Sequence, residues 1–283
     1  MEEFIKKNLI KAESFHPFYE HALNEMLIAG GKRFRPALLM AVVKAYEPML
    51  AENAKYAAFA IELIHTYSLI HDDLPSMDNA DLRRGHPTLH ITYDEVTALL
   101  AGDALNTYAF EVISKAPFSS DVKVELIKIL SQNAGANGMV LGQAIDCFFE
   151  NKRLDLQELK FLHLNKTGKL IAASLQMGAV IAGTDDKLQK TLYNFGIDLG
   201  LLFQIQDDIL DVTLTAEEAG KTTGVDENKN TFVTLLGLKG AEKEADNLAV
   251  ELENQLNGFD ERLQKELGRL LEKYLYRHNN SGK

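Results

Sequence analysis

The stretch "LYNFGIDLGLLFQIQDDILD", Leu192 to Asp211, sets apolar side chains at Leu192, Phe195, Leu199, Leu202, Ile205 and Ile209. Steps of three and four residues lay one continuous apolar stripe along an α-helix. The same spacing recurs in "AKYAAFAIELIHTYSLI" (54–70), "EVTALLAGDALNTYAFEVI" (95–113) and "AEKEADNLAVELENQLNGFDERLQKELGRLLEKYL" (241–275), and no convincing run alternates with period two. All six prolines lie at or before Pro117, so the rest of the chain is open to uninterrupted helices. The pattern predicts an all-α fold. Ala57 to Leu69 is apolar on more than one face, which places that helix centrally in a large bundle.

The whole chain, 283 residues with 46% hydrophobic and 25% charged, reads as one ordinary globular domain spanning 1–283. The longest membrane-like run, Leu170 to Gly183, contains Ser174 and Gln176 and is too short to cross a bilayer. "MEEFIKKNLIKAE" is charged throughout, unlike a signal peptide, which predicts a cytoplasmic protein. A single cysteine, Cys147, excludes an internal disulfide framework and argues against a thiolate zinc site. A formal charge of −11 argues against sequence-independent nucleic-acid binding, which needs an excess of Lys and Arg. It does not exclude a local basic pocket for a small anion.

Loops are expected at 30–35, 76–90, 117–121, 151–155, 184–186 and 215–231. Pro36 suits the first turn of a helix, and Gly30 and Gly31 before it make a flexible loop presenting Lys32, Arg33 and Arg35. "LIHDDL" at 69–74 echoes "QIQDDI" at 204–209, as if two helices ended alike.

Both echoes hold acidic clusters. Asp207 and Asp211 are one helical turn apart on one face with Asp208 beside them, so three carboxylates are expected to converge next to an apolar segment. Such a group needs a cation, and hard oxygen donors with room for water favour Mg²⁺. A lone Asp-Asp pair is ordinarily a solvated helix face; a second cluster changes the balance. In "HDDLPSMD", Asp78 would point away from Asp72 on an ideal helix, but Pro75 can kink or end the helix and let the chain bring Asp78 back to Asp72 and Asp73. Arg83 and Arg84 follow at once, and a guanidinium fork fits a phosphate. Two acidic clusters could thus clamp one diphosphate through metal. Lys32, Arg35, Lys166, Lys221 and Lys229, with His65 on the helix that carries Asp72, suggest a second anion site without metal.

These residues resemble the short-chain, trans-type polyprenyl diphosphate synthases, and particularly the bacterial farnesyl diphosphate synthases. The likeness runs through "GGKRFRP", "HTYSLIHDDLPSMDNADLRRGHPT", "LLAGDALNTYAF", "GMVLGQAID", "KTGKLIAAS", "FQIQDDILD" and "GKTTGVD". It implies a homodimer of all-helical bundles, each of roughly a dozen helices around a deep central cavity. It further implies that Asp72, Asp73, Asp78, Asp207, Asp208 and Asp211 bind Mg²⁺, three ions with Mn²⁺ as the alternative metal, around an allylic diphosphate. Arg83, Lys166 and Lys221 would contact that diphosphate. Lys32, Arg35, His65 and Arg84 would hold isopentenyl diphosphate, and Thr167 and Gln204 would stabilise a carbocation. The family's second lysine after the glycine-lysine motif is displaced here, "GVDENKNTFVT" being two residues shorter, and Lys229 is assigned its role.

Tyr67 lies five residues before Asp72, about 7.5 Å down a helix at about 1.5 Å per residue. In the family an aromatic there accompanies C15 products, so the expectation is farnesyl diphosphate, made from isopentenyl with dimethylallyl and then geranyl diphosphate; Ser68 beside it adds little block, and an isolated tyrosine at this place reads equally as plain core. The alternatives are a geranylgeranyl or geranyl diphosphate synthase, which differs in cavity depth, and a non-catalytic partner subunit, against which all six acidic residues stand. A His-Asp phosphohydrolase, suggested by His71-Asp72, would need further metal-binding histidines in spacing that the sequence lacks.

Overall fold

In the computed structural model, which describes residues 1–213 and 229–280, the chain is a bundle of helices. The first half comprises α1 (Glu2–Lys7), α2 (Tyr19–Ile28), α3 (Phe34–Tyr46), α4 (Ala51–Asp72), α5 (Leu89–Thr92), α6 (Glu95–Lys115) and α7 (Ser120–Ala134). The second comprises α8 (Met139–Phe148), α9 (Leu156–His163), α10 (Lys169–Ile181), α11 (Asp186–Thr213), α12 (Phe232–Leu236), α13 (Leu238–Asn257) and α14 (Glu261–Leu271).

Helices α3 and α10 pack on each other and form the septum of the bundle. Leu39 and Val43 of α3 and Ala173 and Met177 of α10 face one core, shared with α1, α2, α4, α6 and α7. Leu38, Val42, Ile171 and Leu175, about one position round each helix, face a second core shared with α11, α13 and α14. Helix α4 is buried on most sides from Ala57 to Ile70, as its lack of a polar face requires. Polar caps fix the helix starts. The Asp94 carboxylate accepts the Thr97 N–H at 2.7 Å, and Asp155 with Glu158 closes a capping box at α9.

Two local features depart from the sequence reading. The segment 76–90 is not all loop: Leu82–Arg83 pairs antiparallel with His86–Pro87, and α5 begins at Leu89. Arg84 and Gly85 form the two-residue turn with φ of 55° and 77°, the left-handed pair that a type I′ hairpin turn requires. Second, the loop before α3 does not present Arg33. Its guanidinium turns inward to Glu62 at 2.6 Å and Glu2 at 2.6 Å, and donates to the Leu27 carbonyl. Arg35 already lies in the first turn of α3, with Pro36 next to it as expected. No helix among the described residues is long and apolar enough to cross a membrane.

Candidate active site

Helix α4 ends at Asp72, and the chain beyond Pro75 folds back on that end. The Asp78 N–H donates to the Asp72 carbonyl at 2.8 Å, and the Ala80 N–H to that of Asp73 at 3.1 Å. This satisfies carbonyls that a helix end leaves bare, and it returns Asp78 to the cluster. Each carboxylate here has a basic partner. Arg83, carried on the short ribbon, donates through Nε and Nη2 to Asp73 at 2.6–2.8 Å. Lys229 reaches Asp78 at 2.9 Å. Lys166 lies 3.8 Å from Asp72 and 2.6 Å from Asp146, while Gln143 donates to Asp72. Burial works to lower the Lys166 pKa, but Asp72 and Asp146 overcome it and raise it.

Lys166 and Thr167 sit on a single π-helical turn, Leu164–Gly168, between α9 and α10. A turn of this kind inside a helical run re-aims side chains and is frequent at functional sites. Its two adjacent residues point to different clusters. Lys166 serves Asp72, whereas Thr167 Oγ1 donates to Gln204 Oε1 at 3.2 Å, and Gln204 Nε2 donates to Asp208 at 2.9 Å. A second tie comes from Lys229–Phe232: Lys229 holds Asp78, and the Phe232 N–H donates to Asp208 at 2.8 Å. Three residues of extended chain span no more than about 11 Å, so the two clusters border one mouth.

The second cluster differs from expectation. Asp208 turns into the protein against the Phe232 amide and Gln204, while Asp207 pairs with Arg277 at 2.7 Å. Asp207 and Asp208 therefore turn to different partners, while Asp207 and Asp211 are both near enough to help raise the Asp208 pKa. Among the described residues no three His, Cys, Asp or Glu side chains gather closely enough to hold a metal ion unaided. The donors nevertheless fit a hard divalent ion that also binds phosphate oxygens, since Mg²⁺ commonly takes only one or two carboxylates plus phosphate. Burial raises the pKa of Asp72 and Asp73 and lifts that of Asp208 to about 7, so each would gain from a further positive charge.

Below this mouth lies a cavity of about 570 Å³ lined by Tyr67, Ser68, His71, Met139, Val140 and Ala144, with Asp72, Lys166 and Thr167 at its polar end. Arg35 and His65 line it too, 3.3 Å apart. Burial, with Arg35 and Arg84 nearby, holds His65 well below its usual pKa, and burial brings Arg35 down to about 10. Among the described residues nothing hydrogen-bonds the buried Arg35 Nε. Arg84 lies over the 30–33 loop, donating to the Gly30 carbonyl; a Cβ at Gly31 would stand 2.8 Å from its guanidinium carbon. Lys32 is exposed on that loop. Lys221 lies outside the described residues.

Sequence reasoning gave no role to Gln143, Asp146 or Arg277. The first two stand in "GMVLGQAID", one helical turn apart on α8, a polar face in an apolar helix that could have marked them. Arg277, far downstream of Asp207, carried no such signal.

A family profile described as polyprenyl synthetase matches residues 16–267. A farnesyl diphosphate synthase of Haemophilus influenzae is 46% identical over 87% of this chain and 84% of its own length. A chloroplastic geranylgeranyl pyrophosphate synthase of Capsicum annuum is 44% identical over 93% of this chain and 72% of its own. Among solved structures, a geranyltransferase of Helicobacter pylori complexed with magnesium and isoprenyl diphosphate superposes with a TM-score of 0.93 at 53% identity, covering 96% of this chain and 93% of that one. Two acidic clusters at one mouth of a helical bundle, and this likeness along almost the whole sequence, lead to one conclusion: the chain belongs to the polyprenyl synthetase family.

Proposed function

We propose that this protein condenses isopentenyl diphosphate with dimethylallyl and then geranyl diphosphate to give farnesyl diphosphate, with Mg²⁺ bound between the clusters. The observation that carries this reading is the π turn above an apolar cavity, whose neighbours are tied one to each acidic cluster, Lys166 to Asp72 and Thr167 to Asp208 through Gln204.

Asp72, Asp73, Asp78, Asp207, Asp208 and Asp211 hold the metal, three Mg²⁺ or in their place Mn²⁺. The metal held there would supply Lewis-acid neutralisation of the leaving diphosphate. Arg83, Lys166 and Lys229, now on carboxylates, turn to the allylic diphosphate with Lys221. Thr167 Oγ1 and Gln204 Oε1 set oxygen dipoles beside the allylic cation as its carbon–oxygen bond breaks. Arg35, with its unpartnered Nε, takes isopentenyl diphosphate together with Lys32, His65 and Arg84. The double bond of that substrate attacks the cation, and the released diphosphate accepts the proton, so no side-chain base is needed. Apolar walls keep water from quenching the cation. Tyr67 closes the cavity to a tail longer than C15.

The chain acts as a single domain, 1–283, in the cytoplasm and as a homodimer. Exposed Val96, Leu99 and Leu100, spaced along one face of α6, support the last assignment as apolar surface that a second copy would cover, and Ile91 of α5 is exposed as well.

The test is incubation with isopentenyl and dimethylallyl diphosphates plus Mg²⁺, then chromatography of the dephosphorylated alcohols. Farnesol should dominate and vanish with EDTA. A C20 alcohol as main product would assign the geranylgeranyl activity named for the Capsicum relative, and no product at all would leave a non-catalytic subunit. Tyr67→Ala should shift products to C20 or longer, and an unchanged C15 profile rejects Tyr67 as the floor.

A further inference from the structure

Tyr67 is buried, yet among the described residues nothing hydrogen-bonds its hydroxyl. Its ring is held by packing alone. Besides the apolar core it joins, its aromatic neighbour is His71, one turn along α4 on the same face, whose imidazole meets the phenol ring edge-on at 5.7 Å and 79°. His71 is itself anchored. Its Nε2 lies 3.0 Å from the Leu99 carbonyl of α6 and 3.9 Å from Asp103. The imidazole occupies the place that a side chain at residue 102 would fill: a Cβ on Gly102 would fall 2.1 Å from Nε2 and 2.3 Å from Cδ2. The other side of His71 faces the cavity.

From this geometry we propose that Gly102 and His71 are specificity-determining positioning residues: the bare backbone at Gly102 seats His71 in the seam between α4 and α6, and His71 fixes where the Tyr67 ring stops the growing prenyl tail. The inference rests on the reading of Tyr67 as the cavity floor. Neither residue need touch the reacting atoms. Gly102 sets the depth of His71, and His71 sets the attitude of Tyr67.

The two residues make opposite predictions. In Gly102→Ala the methyl group expels the imidazole, and the free volume beyond it is the cavity, so the tail loses room and geranyl product should rise at least threefold relative to farnesyl. Alanine is also the better helix former, so α6 keeps its local preference. In His71→Ala the Tyr67 ring loses its support and the cavity widens, so C20 product should appear. In the double variant the methyl introduced on α6 has no imidazole to meet, and the profile should match that of His71→Ala alone. Product ratio at equal substrate consumption is the measurement, because it does not depend on total activity.

A general structural role would give two independent effects that add; coupling through one contact abolishes the effect of Gly102→Ala when His71 is gone. If Tyr67→Ala changes product length while Gly102→Ala leaves it at the C15 ratio, or acts equally with and without His71, this inference is wrong and the floor reading stands. If Tyr67→Ala itself changes nothing, the floor reading has failed. Should Gly102→Ala not fold, the C20 product of His71→Ala decides: its absence overturns the proposal.

Discussion

The segments "LIHDDL" and "QIQDDI" are close in sequence and end up in opposite electrostatic circumstances. The first lies where α4 stops, and cations meet its carboxylates, Arg83 at Asp73 and Lys166 at Asp72, with Lys229 on the returning Asp78. The second lies inside α11, which runs on to Thr213, so its aspartates are spread around an intact helix. Asp208 is driven inward against two neutral donors, and Asp207 meets Arg277. Pro75 makes the difference, ending one helix and letting the following loop and ribbon deliver basic groups. A helix that continues offers its acids only what neighbouring elements supply. The first cluster is neutralised by side-chain charge; Asp208 of the second relies on a backbone amide, Gln204 and a proton.

The largest effect should come from the buried cation that Asp72 and Asp146 share. Lys166→Ala leaves Asp72 and Asp146 buried without their lysine and removes a donor aimed at the substrate diphosphate, so turnover should fall by about 10²–10³-fold. Lys229 is more exposed, 44% against 22% for Lys166, and water screens its pair with Asp78. Lys229→Ala should therefore cost about tenfold or less. Initial rates with saturating substrates and Mg²⁺ test the ranking, and equal losses would mean that the exposed lysine is as much a part of the clamp as the buried one.

That contrast was only partly legible in the sequence. Three- and four-residue spacing carried the helices, and Pro75 carried the return of Asp78, because both act within a few residues. The ribbon bearing Arg83 and Arg84 was not legible, since strands of two residues have no period. Arg33 and Arg35 look alike until Glu62 of α4 and Glu2 of α1 are found waiting for the former. The inward turn of Asp208 depends on a backbone amide at Phe232, and Arg277 reaches Asp207 from near the end of the described chain. Spacing along one helix cannot reveal partners that arrive from others.

The second comparison concerns the proton. Burial lifts Asp208 to about 7 against 3.8 for an ordinary aspartate, and the Phe232 amide and Gln204 offset only part of that. Between about pH 4 and pH 7 the folded chain therefore keeps a proton that the unfolded chain has released, so stability falls as pH rises through this window. Asp208→Asn keeps the neutral form and an oxygen for the Phe232 amide. In EDTA the variant's melting temperature should rise relative to the parent's by several degrees between about pH 5 and pH 8. Asp72 and Asp73 are raised with the same sign in both proteins, so the difference isolates Asp208. Identical melting at both pH values would put the acidic burden elsewhere.

The smallest effect belongs to Arg277. Its guanidinium lies 3.9 Å over the Phe203 ring, donates to Gln206 Oε1 at 2.8 Å and the Phe203 carbonyl at 2.6 Å, and holds Asp207 at 2.7 Å. Most of these contacts secure the end of the chain to α11, and Asp207, 40% exposed, can be solvated when the arginine is gone. Arg277→Ala should therefore lower the melting temperature by about 2–4 °C per kcal/mol lost, with about 1–2 kcal/mol expected from one charged hydrogen-bonded group. Turnover should stay within about threefold, because Asp207 is released towards the mouth rather than stranded. A loss of turnover near that of Lys166→Ala would reverse the comparison: the second cluster would then depend on a fixed cation as much as the first, and its backbone donors would be insufficient on their own.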